Sequence, residues 1–130
     1  MEGVMRPPES ILVVSPDATT LQGLTRALVQ HGWPVLSAFG WPEAESRLQR
    51  IPVSLMVTDM EELSRDEFST VRRLRSEFPR VGIIALVSFS TSQSRAAESE
   101  GLVLSVLEKP IALDHLEESV RVALARAPSP

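Results

Sequence analysis

The chain has 130 residues, the length of one domain, and its core must be mainly aliphatic because 43% of the residues are hydrophobic but only 5% are aromatic. The formal net charge is −4 and the arginines are scattered, which argues against nucleic-acid binding by this domain. The absence of cysteine excludes disulfides and thiolate metal sites, and no apolar run approaches the ~20 residues of a membrane span. We therefore expect a cytoplasmic domain that binds neither nucleic acid nor membranes.

Short aliphatic runs and helix-like stretches alternate along the chain. The runs are flanked by turn residues and predict buried strands at 11–14, 35–38, 55–58, 83–87 and 102–107. The stretches between and after them predict helices at 20–31, from Gly40-Trp41-Pro42 through Leu48, and at 66–78, 90–100 and 113–125. Asp17 or Thr19 is expected to cap the first helix, and Gly32 to end it.

The alternation of strands and helices also predicts where a functional site would lie. Short connections and right-handed crossovers give a parallel sheet covered by helices on both faces. In such sheets, ligands bind at the carboxyl ends of the strands. The segments expected there are 15–17, 59–62, 87–88 and 108–110. Asp59 is the reactive group best placed among them, and Lys109 is the only lysine in the sequence.

In order and spacing, these segments resemble the receiver domain of bacterial response regulators, most specifically in Asp59 and in Lys109-Pro110. The resemblance covers residues 10–125 and leaves 1–9 and 126–130 as tails. It implies a doubly wound α/β fold of the flavodoxin type, with five parallel strands in the order 2-1-3-4-5. It also implies that Asp59 occupies the phosphoacceptor position, that Lys109 binds the phosphate, and that the bond before Pro110 is cis.

Other positions depart from the family's pattern. Ser15 and Pro16 stand where the family has two acidic residues that hold Mg²⁺ together with the acceptor aspartate. Val87 occupies the position of a hydroxyl residue that binds the phosphoryl group, and Val106 that of the aromatic switch residue. Both the metal chemistry and the conformational switch should therefore be impaired.

Some neighbouring residues offer partial replacements. Asp17 lies one residue past the acidic pair, where capping the first helix competes with binding a metal, and Ser88 follows the hydroxyl position. Glu61 lies where the family offers a backbone carbonyl to the metal. Asp59, Asp17 and Glu61 thus form a weak candidate Mg²⁺ site. The alternative is that no metal binds and that Asp59 pairs directly with Lys109.

The leading interpretation is a receiver-like signalling domain of a two-component system that acts through protein contacts. The first alternative is a working response regulator that a histidine kinase phosphorylates on Asp59, with Asp17 and Ser88 in shifted roles. The second is a flavodoxin-like cofactor binder, although no Gly-rich phosphate loop follows the first strand.

The expected partners follow from the leading interpretation. They are a histidine kinase or another signalling protein, together with a C-terminal output domain or a second copy of the chain. Two interpretations of the apolar residues stay open: Trp33 and Trp41 cover the edge of the sheet, or apolar residues around the fourth helix, fifth strand and fifth helix form a dimer face. We expect no enzymatic activity beyond self-catalysed phosphoryl transfer to Asp59.

Overall fold

The computed structural model describes residues 10–126, so the predicted tail residues 1–9 and 127–130 lie outside the described part. Its elements are β1 (Ile11–Val14), α1 (Ala18–Gln30), β2 (Val35–Ala38), α2 (Trp41–Arg50), β3 (Leu55–Asp59), α3 (Arg65–Glu77), β4 (Gly82–Val87), α4 (Ser92–Ser99), β5 (Ser105–Glu108) and α5 (Leu113–Arg126). The strands form one parallel sheet in the order β2-β1-β3-β4-β5, which confirms the predicted fold. None of the helices in this part combines the length and hydropathy of a membrane span.

Helices cover both faces of the sheet. α2, α3 and α4 pack on one face through residues such as Leu48, Leu74 and Ala97. α1 and α5 pack on the other through residues such as Leu28 and Val120. β1, β3 and β4 each have a neighbouring strand on both sides and helices above and below, which explains their continuous aliphatic sequences. The last residue of the central strand β3 therefore reaches a buried, fixed position.

The largest difference from the predicted boundaries is at β5. The predicted strand began at residue 102, whereas β5 begins at Ser105. The backbone N–H groups of Leu102 and Val103 donate to the Ala97 carbonyl at 2.9 and 3.3 Å, so these residues complete the end of α4. Gly101 makes this turn possible with a φ of 80°. An apolar pair that resembles the start of a strand therefore belongs to a helix terminus.

Side-chain caps set the starts of three helices, α1, α3 and α4. Asp17 caps α1, and its side chain accepts from the backbone N–H of Thr20. α4 begins at Ser92 rather than near residue 90, because the Thr91 side chain caps it. At the other end of α1, His31 is the cap and Gly32 follows it with a φ of 91°.

The two tryptophans flank β2 and pack on opposite faces of the sheet. Trp33 joins the core cluster beneath α1 and α5. Trp41 joins the cluster beneath α2, α3 and α4, and its indole N–H donates to the Glu67 carboxylate at 2.7 Å. The two tryptophans thus cover opposite faces of the sheet beside the edge strand β2.

Candidate functional site

The candidate site lies at the carboxyl end of the sheet, where β3 ends in Asp59. β3 pairs with β1 on one side and with β4 on the other, so Asp59 lies between the ends of both neighbours. Its side chain retains only 8% exposure. A carboxylate with so little access to water requires hydrogen bonds or a counter-charge from the protein.

Both carboxylate oxygens of Asp59 have a partner. The Lys109 ammonium donates to Oδ1 and forms a salt bridge. The Ser15 hydroxyl donates to Oδ2 at 2.9 Å. The direct ion pair predicted between Asp59 and Lys109 is therefore present.

Ser15 is a partner of Asp59 that sequence reasoning missed. It is fully buried, and its oxygen also accepts from the backbone N–H of Asp17 at 3.1 Å. In the β1–β3 register Val14 faces Thr58, so the residue after β1 lies beside the residue that ends β3. The predicted strand order made β1 and β3 neighbours, but their register was also needed to place the Ser15 hydroxyl beside Asp59.

The Asp17 carboxylate serves α1. Its Oδ2 accepts from the Thr20 hydroxyl at 2.7 Å and from the Thr20 backbone N–H at 2.8 Å, which confirms the predicted cap. The hydroxyl and then the N–H lower the pKa of Asp17 below its ordinary value, with a smaller contribution in the same direction from the charge of Lys109. The carboxylate is thus held ionised at the start of the helix.

The loop after β4 is bonded to the loop after β3. The Glu61 carbonyl accepts from the backbone N–H of Ser88 at 2.7 Å and from that of Phe89 at 3.2 Å. Ser88 is half-buried. Val87 is fully buried and Val106 half-buried, and neither aliphatic side chain can donate a hydrogen bond to a phosphoryl oxygen.

Lys109 is positioned by the end of β5. Its backbone N–H donates to the Val87 carbonyl at 2.7 Å, and the peptide bond that joins it to Pro110 is cis. Its side chain, 31% exposed, reaches across the end of β4 to the carboxylate on β3. The ammonium therefore supplies the positive charge beside Asp59.

These residues do not fit a divalent cation. Mg²⁺ requires several oxygen ligands in near-octahedral geometry. Both oxygens of Asp59 are bonded, the Asp17 carboxylate is bonded to Thr20, and the Glu61 carbonyl already accepts two N–H groups. Within residues 10–126, no three acidic or histidine side chains come together as metal ligands.

The sequence is similar to that of a longer regulatory protein. It is 27% identical over 118 residues to the transcriptional regulatory protein ZraR of Salmonella typhimurium, a match that covers 88% of this chain and 26% of that protein. The ZraR protein of Salmonella typhi gives the same values. The chain thus spans about a quarter of the length of these relatives. No family model matches the sequence.

Solved structures superimpose on most of the chain. A response regulator from Thermotoga maritima gives a TM-score of 0.80 at 22% identity, over 92% of this chain and 99% of that one. The response regulator TrrA from the same organism, in complex with Mg(2+)-BeF, gives 0.74 at 22% identity, over 88% and 98%. A putative pilus assembly-related protein from Burkholderia pseudomallei K96243 gives 0.82 at 20% identity, over 99% and 98%. This chain therefore has the flavodoxin-like fold of response regulator receiver domains.

Proposed function

We propose that this chain is a receiver-like signalling domain of a two-component system that acts through protein contacts and takes up a phosphoryl group on Asp59 poorly or not at all. The observation that carries the proposal is the environment of Asp59, whose two oxygens are held by Lys109 and Ser15. In this arrangement the carboxylate serves as a structural anion at the end of the sheet, and the two bonds lower its reactivity as a nucleophile.

The chemistry of phosphoryl transfer supports this interpretation. Transfer to a carboxylate depends on neutralisation of the phosphoryl oxygens in the transition state. The charge of Lys109 is already paired with Asp59, and Val87 provides no hydroxyl. Loss of a single electrostatic stabiliser typically lowers a rate by about 10²–10³. A site whose residues do not fit a divalent cation and provide no hydroxyl at position 87 should therefore react very slowly.

The conformational switch is weakened separately. Inverting a 1:99 equilibrium between two conformations requires about 5.5 kcal/mol of differential binding. Val87 cannot bond a phosphoryl oxygen, and Val106 provides no aromatic ring that could change its position. Most of the required difference is therefore missing, and contacts made by the resting conformation are the remaining way to signal.

The exposed apolar side chains suggest where such contacts are made. The large ones among residues 10–126 are Val29, Phe39, Phe89, Leu113 and Val122. None lies on α4 or β5, whereas Leu113 and Val122 lie on α5, so only α5 among the three elements of the expected dimer face carries exposed large apolar side chains. Phe39, Phe89 and Leu113 instead follow β2, β4 and β5 at the carboxyl end of the sheet. We place the contact with a histidine kinase, another signalling protein or an output domain at this end.

Exposure to acetyl phosphate with Mg²⁺, followed by intact-mass analysis, tests the proposal. We expect the chain to stay unmodified under conditions that phosphorylate an ordinary receiver domain in a parallel reaction. Asp59→Asn is the matched control, because it keeps the shape of the side chain and removes the nucleophile. A stoichiometric gain of one phosphoryl group that is absent from Asp59→Asn would contradict the proposal. It would support a working response regulator that uses Asp17 and Ser88.

Melting curves test the metal site independently. Millimolar Mg²⁺ or Mn²⁺ should leave the Tm almost unchanged, because a ligand stabilises the folded state only as RT ln(1 + [L]/Kd). A site with a Kd about 100-fold below the metal concentration would add about 2.7 kcal/mol. The control is a monovalent salt at the same ionic strength. An increase of several degrees that only the divalent ions produce would show that the pocket holds a cation.

A further inference from the structure

The loop between β4 and α4 is held at four consecutive backbone N–H groups. Every N–H from residue 88 to residue 91 donates to an acceptor outside the loop. The acceptors are the Glu61 carbonyl for Ser88 (2.7 Å) and Phe89 (3.2 Å), the Glu108 carboxylate for Ser90 (3.0 Å), and the Ser94 hydroxyl for Thr91 (2.8 Å). Surface loops usually leave such donors to water and move more than the elements that they connect.

The acceptors fix the loop from two sides. β4 lies between β3 and β5 in the sheet. Glu61 lies in the loop that follows β3, and Glu108 is the last residue of β5. The ion pair between Asp59 and Lys109 also joins the ends of β3 and β5. The loop after β4 is thus bonded to the ends of both of its neighbours.

Among these acceptors, Glu108 is the only carboxylate, and its bond to the loop comes from a neighbouring strand. The Glu61 carbonyl is part of the backbone, whereas the Glu108 carboxylate is an exposed side chain whose bond to Ser90 depends on the residue type. Hydrogen bonds to an ionised carboxylate are roughly twice as strong as neutral ones. A loop that switches needs two conformations of similar free energy. A hydrogen bond that forms in only one of the two conformations shifts the equilibrium towards that conformation.

We propose that Glu108 is a positioning residue that, together with the Glu61 carbonyl, keeps the β4–α4 loop in one conformation whatever the state of Asp59. The loop carries Phe89, which is 59% exposed, so this aromatic ring is presented to partners at all times. The inference rests on the proposed function, because a constant surface matters only if the domain signals through contacts. Glu108 is then the residue that keeps the surface around Phe89 constant.

Backbone ¹⁵N relaxation of the full chain, with relaxation dispersion to detect μs–ms exchange between loop conformations, tests this role. We expect order parameters of about 0.85 at residues 88–91, as in rigid elements, and a drop at Phe89 and Ser90 towards values below about 0.6 in Glu108→Ala. Glu108→Gln should lower the order parameters less than Glu108→Ala does, because its amide oxygen still accepts from Ser90 but forms the weaker, neutral bond. Glu98→Ala is the matched control, since Glu98 is also exposed and accepts a backbone N–H, that of Val106 at 3.3 Å. It should leave the loop unchanged.

The same measurement on Asp59→Asn tests independence from the acceptor position. The order parameters at residues 88–91 should stay at the wild-type level. A loop that is mobile in the wild-type chain, that ignores Glu108→Ala, or that loosens in Asp59→Asn would overturn the inference. The mass measurement with acetyl phosphate decides the proposed function separately. A phosphorylated chain with a rigid loop contradicts only the proposed function, and an unmodified chain with a mobile loop contradicts only the role of Glu108.

Discussion

Replacement of Lys109 by methionine should lower the free energy of unfolding by about 2–3 kcal/mol, because the Asp59 carboxylate then stays buried without its counter-charge. Removing one partner of a fully buried ion pair typically costs about 3–5 kcal/mol. The expected value is lower here because the Lys109 side chain is 31% exposed. Methionine keeps most of the aliphatic stem, so the loss should be mainly electrostatic. Urea denaturation followed by circular dichroism measures it.

Two further variants make this result interpretable. Asp59→Asn combined with Lys109→Met should be more stable than Lys109→Met alone, because the unpaired charge is absent, and the double-mutant cycle then gives the coupling energy. Arg121→Met is the matched control, since Arg121 is 58% exposed and pairs with acidic residues of its own helix. It should change the stability by less than about 0.5 kcal/mol. A similarly small effect of Lys109→Met would show that the ammonium does not stabilise Asp59.

Introducing the residues that the resemblance to receiver domains implies at positions 15, 16 and 87 should produce the largest gain in activity. In the triple variant Ser15→Asp, Pro16→Asp and Val87→Thr, phosphoryl uptake on Asp59 should rise by at least ~10², because each restored electrostatic stabiliser typically contributes about 10²–10³. Ser15→Asp also removes the hydroxyl that now donates to the Asp59 carboxylate. The rate of mass gain with acetyl phosphate and Mg²⁺ measures the effect.

The restored chain should also depend on the metal for stability. Three neighbouring carboxylates repel one another, so the variant should melt below the wild type in chelator and recover when Mg²⁺ is added. Ser15→Asn and Pro16→Asn together form the uncharged control and should gain neither property. The triple variant could bind Mg²⁺ and still take up no phosphoryl group. That result would show that the residue types at positions 15, 16 and 87 do not limit phosphoryl uptake on Asp59.

The arrangement of the fold could be predicted because the aliphatic runs of β1, β3 and β4 are typical of buried parallel strands. The strand order came from the resemblance to receiver domains and not from the pattern. The predicted start of β5, at residue 102, was wrong because Leu102 and Val103 are as apolar as strand residues. Only the backbone geometry around Gly101 shows that their N–H groups bond to the end of α4.

The candidate site was predictable in its charges and less so in its hydrogen bonds. Asp59 and Lys109 could be paired because Asp59 ends β3 and Lys109 follows β5 at the same end of the sheet. The bond between Ser15 and Asp59 required the register of β1 and β3, which the residue types do not reveal. The bond between Ser90 and Glu108 depends on the direction of a single loop N–H group, and no periodicity in the sequence reports that direction.

The placement of the two tryptophans has a consequence for following this protein in solution. The sequence contains no tyrosine, so its intrinsic fluorescence comes from Trp33 and Trp41 alone. Each ring packs in a different helical layer, and the ring of Trp33 also lies 5.9 Å from that of His31. Emission from a variant that retains one tryptophan therefore reports on one layer. When the two emission curves coincide during unfolding, the layers on opposite faces of the sheet come apart as one cooperative unit.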